Sequence, residues 1–90
     1  MFYVYILQSK KNLDKIYIGY SSNLKQRLQE HNDGDSKYTS RFKPWSLIYY
    51  EGFANESDAR KRESRLKQFD NTWHNLRRRI DRCFHKDHED

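Results

Sequence analysis

Glu63 is a carboxylate set in an apolar stripe. Ala59, Leu66 and Phe69 fall at i, i+7 and i+10 of one helical run, and Glu63 at i+4 lies among them. Desolvating an ionised carboxylate costs several kcal/mol unless a partner compensates. Glu63 therefore either pairs with Arg27, Arg60 or Lys67, or it faces a cleft where it holds a cation or moves a proton. Arg27 and His31 make a second candidate pair. They stand one helical turn apart, so they project together and could meet one phosphate. The plain alternative is that Arg27 lays its stem along the surface while His31 closes the edge of the core. Tyr3, Tyr5 and Tyr17 lie in strand-like runs, either as packed aromatics or as hydroxyls available for proton transfer.

The elements that must carry these groups follow from patterning. Phe2–Leu7 is aromatic and β-branched without helical spacing and predicts a strand; Ile16–Tyr20 predicts a second, joined to the first by a polar turn over 9–14. Ser22 or Asn23 caps a helix that starts near Leu24 and ends at Gly34, with Leu24, Leu28 and His31 on one face. Residues 33–44 read as a loop, and Trp45–Tyr50 as a third strand ending near Gly52. Asn55 caps a second helix, with Glu56 and Asp58 suiting its first turn, and this helix is expected to reach Phe69. Asn71 starts a third helix, whose Trp73, Leu76, Ile80 and Phe84 recur every three or four residues. The expectation is a small α+β domain over residues 1–84, with a three-stranded antiparallel sheet flanked by helices in the order β-β-α-β-α-α. Residues 85–90 are expected to be a charged, frayed tail.

Charge points toward a polyanion. Residues 59–86 hold ten basic side chains against three acids, a local charge of +7 in a chain of net +5. Such a field suits nucleic acid, although basic runs also simply solvate a helix face. With one cysteine, Cys83, no disulfide framework is possible, and no apolar run approaches the ~20 residues of a membrane helix. The expectation is a cytoplasmic protein without membrane attachment. Cys83, His85 and His88 fall short of the four ligands of a structural zinc site. Ser9, Thr39 and Ser40 have no visible base partner for nucleophilic catalysis.

Taken together and in order, these residues resemble the GIY-YIG nuclease family. Tyr3-Val4-Tyr5 is similar to the first strand motif and Tyr17-Ile18-Gly19 matches the second; Arg27 and His31 fit the helix that follows, and Glu63 fits the later helix. The runs 31–34, 37–39 and 44–51 resemble the small stand-alone bacterial branch, related to the catalytic domains of an excision-repair nuclease and of homing endonucleases. The resemblance covers most of the chain. It implies a DNA endonuclease that hydrolyses phosphodiester bonds with one divalent ion, Mg²⁺ or Mn²⁺, on Glu63. It further implies that Arg27 holds the scissile phosphate, Tyr17 activates water, Tyr5 positions water or phosphate, and His31 assists or orients.

Gly19, Lys37, Arg41, Arg77 and Arg78 are candidates for substrate contact, Gly19 because a bare backbone lets another group approach closely. Departures from the family pattern are Tyr3 in place of the first motif's glycine and Tyr20 where many relatives carry lysine. Asn71 and Asn75 are candidates for a late asparagine near the metal. The expected activity is structure-directed cleavage in DNA repair or recombination, with DNA as partner and a second protein to target it. The alternative is a non-catalytic nucleic-acid-binding module on the same fold.

Overall fold

The computed structural model describes residues 1–86. Strands β1 (Phe2–Ser9) and β2 (Ile16–Ser21) are followed by helices α1 (Leu24–Asp33) and α2 (Lys37–Ser40), then β3 (Trp45–Phe53), α3 (Glu56–Leu66), α4 (Asn71–Arg79) and a 3₁₀ turn over Asp81–Cys83. The strands form one antiparallel sheet in the order β2-β1-β3, so the most apolar strand lies centrally. This is the α+β architecture that the patterning predicts.

Alternation along β1 divides the molecule. Val4 and Ile6 face a layer built with Ala59 and Leu66 of α3 and with Trp73 and Leu76 of α4. Tyr5 and Leu7 face the other way, toward Trp45 and the partly buried Leu24 and Leu28 of α1. Each longer helix has a side-chain cap. Asn23, Asn55 and Asp70 accept from the backbone N–H of Gln26, Asp58 and Thr72. Gly34 ends α1 in the left-handed region at φ 86°, where its N–H reaches back to the last carbonyls. In the β1–β2 turn, the Ser9 hydroxyl accepts from the backbone of Lys11 and Asn12 and donates to the Phe42 carbonyl.

Three boundaries differ from the patterning. The stretch 33–44 contains the single-turn helix α2, whose Thr39 is fully buried and whose Ser36 carbonyl accepts from the Ser40 amide. Polar composition concealed it. The helix α3 ends at Leu66 rather than Phe69. The chain must reverse before the Asp70 cap, and Phe69 makes that turn at φ 54° with 48% of the residue exposed, so it does not belong to the apolar stripe. The last helix stops at Arg79, yet Phe84 still reaches the core from beyond the 3₁₀ turn. Of the expected tail, residues 87–90 lie outside the described residues.

Candidate active site

Tyr5 and Gly19 are cross-strand partners, so they share one face of the sheet. A Cβ at Gly19 would overlap the Tyr5 hydroxyl and ring and would press on the Tyr17 ring. The room left by the missing side chain is thus taken by Tyr5, not kept open for substrate as the sequence suggested. Lying over this gap, Tyr5 reaches His31 of α1, with its hydroxyl 2.9 Å from Nε2.

His31 is fully buried, and its Nδ1 is 2.8 Å from the Thr39 hydroxyl of α2. Burial, aided by the Arg27 charge, pushes its pKa down to about 4, so the ring is neutral at pH 7 and carries one N–H. The Thr39 hydroxyl also lies 3.5 Å from the Ser36 carbonyl, which it can serve as donor. That favours Nδ1–H donating to Thr39, leaving Nε2 to accept from Tyr5. Thr39 is itself held in place: its carbonyl accepts from the Trp45 indole at 2.8 Å, while the Asn32 side chain clamps the Trp45 backbone. Burial raises Tyr5 to about 12, against the pull of Arg27, so Tyr5 keeps its proton in the free protein.

Arg27 projects one turn before His31, and its positive charge pulls on the Tyr5 hydroxyl. It also donates to Glu30 at 2.8 Å, and this partner strengthens its hold on the proton. The Arg27 side chain is 37% exposed, and its guanidinium has donors beyond the one bonded to Glu30.

Tyr17 completes the polar face. Its ring centroid is 4.8 Å from His31 and 6.3 Å from Tyr5. Beyond it lies β2's outer, unpaired edge, and there the other layer contributes. Lys67, just past α3, places its ammonium 5.7 Å from the centre of the Tyr17 ring and 3.0 Å from Glu63 Oε2. Glu63 is close enough for its charge to bear on Tyr5. The structure thus brings Tyr5, Tyr17, Arg27, His31 and Glu63 into one neighbourhood, with side chains from both layers meeting round the β2 edge.

Glu63 suits a hard cation. Its side chain is 22% exposed and its ion pair is with a flexible neighbour one turn on, an interaction water and a metal can displace. Among the described residues no three His, Cys, Asp or Glu side chains group to hold a metal, so the rest of such an ion's shell would be water and substrate oxygen. Cys83 is exposed, and His88 lies outside the described residues.

The other candidates are dispersed. Lys37 and Arg41 are exposed at the two ends of α2. Arg77 and Arg78 belong to α4, in the opposite layer from Tyr5. Arg77 pairs with Asp81 and stacks on Phe84, with 3.6 Å to the ring centre, and Arg78 donates to Asn75. Asn71 is exposed at the start of α4. Tyr3 packs edge-on against Tyr50, and Tyr20 donates to Glu56. Sequence reasoning missed Thr39 as the group that orients His31, and no spacing signal marks it. Glu30 could have been found from its i+3 relation to Arg27.

The molecule is thus a small α+β domain whose three-stranded sheet carries a mixed tyrosine, arginine, histidine and glutamate cluster. The GIY-YIG catalytic domain profile matches residues 1–77, and the chain belongs to that family. It is 41% identical to a UPF0213 protein of Staphylococcus haemolyticus over 74% of this chain and 80% of the relative. A UPF0213 protein of Clostridium perfringens is also 41% identical, over 76% and 72%. The solution structure of a UPF0213 protein from Bacillus halodurans superposes with a TM-score of 0.50 at 28% identity, covering 84% of this chain and 81% of that one.

Proposed function

We propose that this protein is a metal-dependent DNA endonuclease of the cytoplasm, acting on DNA structures that arise in repair or recombination and brought to them by a protein partner. The observation that carries this reading is that Glu63 is linked through Lys67 to the Tyr17 ring at the β2 edge and lies near enough for its charge to bear on Tyr5, the tyrosine that Arg27 also acts on. Among the described residues no helix is long and apolar enough to cross a membrane.

The chemistry follows from the groups in place. Arg27 binds the scissile phosphate, its orientation set by Glu30. Tyr5, fixed through His31 and Thr39, positions the attacking water or a phosphate oxygen. Tyr17, half-buried at the cleft, acts in its phenolate form and takes the proton from that water as the new P–O bond forms and the bond to the leaving oxygen breaks, the leaving oxygen then being protonated from solvent. Neutral His31 accepts the Tyr5 hydrogen bond and so fixes where that hydroxyl points. A bound Mg²⁺ or Mn²⁺ on Glu63 would supply charge neutralisation at the phosphate and stabilise the leaving oxygen.

Glu63→Gln is the test. It should cut metal-dependent cleavage of a panel of branched, nicked and single-stranded DNAs by roughly a thousandfold or more, the order expected when an essential charge stabiliser is lost. DNA binding should persist. Wild-type protein that binds these DNAs and cuts none of them with either ion would instead mark a binding module.

A further inference from the structure

Phe69 holds a conformation that its side chain does not favour. Its φ of 54° is left-handed, where glycine and asparagine sit readily and a bulky aromatic does so at a cost. The turn between α3 and α4 therefore needs no phenylalanine. Nor does burial explain the ring: 48% of the residue is exposed, with an edge-on contact to Trp73 at 5.4 Å.

The ring instead lines an open cleft of about 260 Å³ shared with Ile16, Tyr17, Ile18, Tyr38 and Lys67. Tyr38 is a second exposed aromatic, 48% accessible, and its ring lies 6.2 Å from that of Tyr17. Two exposed aromatic rings, an apolar floor from β2 and one ammonium make a site for a flat, partly apolar ring attached to an anion. The volume is below the roughly 300 Å³ at which small-molecule pockets begin, so it suits one ring system rather than a large ligand.

We propose that this cleft takes one unpaired nucleobase of the substrate, stacked against Tyr38 and Phe69, with Lys67 meeting its phosphate. The proposal rests on the endonuclease reading, since Tyr17 belongs to both sites and fixes the base beside the scissile phosphate. It makes recognition of an unpaired base a condition of cleavage. The base comes from a single strand or from a duplex position left unpaired.

The test uses the full chain with Phe69→Gly, Phe69→Asn and Tyr38→Ala, each also combined with Glu63→Gln so that binding is read without cutting. Binding is measured by fluorescence anisotropy on a single strand, a duplex with one bulged base and a fully paired duplex. Each cleft variant should lose roughly tenfold to a hundredfold on whichever unpaired-base DNA the wild type prefers. The preferred DNA identifies the source of the base. 2-Aminopurine at the unpaired position should change its fluorescence on binding, and Tyr38→Ala should abolish that change. Phe69→Gly and Phe69→Asn should melt at or above the wild-type temperature, because both residues suit the left-handed turn. Unchanged affinity of the variants for all three DNAs, in a wild type that cuts DNA, overturns the base site and leaves the nuclease standing. A wild type that neither binds nor cuts any of them overturns both.

Discussion

The two faces of the sheet solve different problems with the same strand. On the α3–α4 side, Val4, Ile6, Ile18, Leu66 and Trp73 form a buried cluster whose members are almost all apolar. On the α1–α2 side, the buried residues include His31, Thr39 and the hydroxyl-bearing Tyr5, each satisfied by the next. No buried side-chain polar atom is left without a hydrogen-bond partner among the described residues. A polar interior is tolerable only on that condition, because one missing partner leaves a desolvated group behind. The first face is held by apolar packing alone, whereas the second adds to its apolar cluster a hydrogen-bonded polar chain kept in register.

Breaking the apolar side should show in stability alone. Leu66→Ala removes a fully buried side chain and should cost about 2–5 kcal/mol in urea unfolding, with residual activity tracking the folded fraction. Activity lost without a shift in the urea midpoint would erase the distinction between the faces.

The polar side should show in pH. Unfolded His31 binds a proton near pH ~6.5, whereas the folded ring refuses one until about pH 4. Between those values the unfolded chain binds more protons, so stability rises with pH. This contribution is complete above about 6.5 and is lost as pH falls toward 4. Melting temperatures across pH 4–7 should fall on the acid side, and His31→Gln should flatten the part of the slope that belongs to this window. An identical slope in the variant would place the pH dependence elsewhere.

The smallest effect concerns the seam where the faces meet. Lys67 is 45% exposed and pairs with one oxygen of Glu63, so a cation on that carboxylate would compete with its charge. Lys67→Met should tighten Mn²⁺ binding by about twofold to fivefold, measured by calorimetry, the span expected of an exposed pair. Weaker binding would mean that Lys67 assists the ion rather than competing with it.

Much of the fold was legible because it rests on local rules. Alternation in Phe2–Leu7, the Asn23 and Asn55 caps and the Gly34 stop each act within a few residues. The candidate site was legible as a set of types, Tyr5, Tyr17, Arg27, His31 and Glu63, but not as an arrangement. Thr39 escaped notice because it meets His31 only through a one-turn helix pinned by the Trp45 indole, a long-range fact with no periodic trace. Gly19 suggested an open approach because a sequence does not show which neighbour fills a gap; here it is the cross-strand Tyr5. The left-handed turn at Phe69 was hidden by an apolar residue that continued the helical spacing.

The division of labour across the β2 edge also sets an order in time. Tyr5, Tyr17, Arg27 and His31 all precede β3, while Glu63 arrives only with α3. A ribosome makes the half with Tyr5, Tyr17, Arg27 and His31 first and the half with Glu63 last. A chain interrupted before α3 lacks the Glu63 carboxylate and also the Leu66 packing that sets α3 against the sheet. The full cluster is therefore absent from nascent and prematurely terminated chains until α3 has been made.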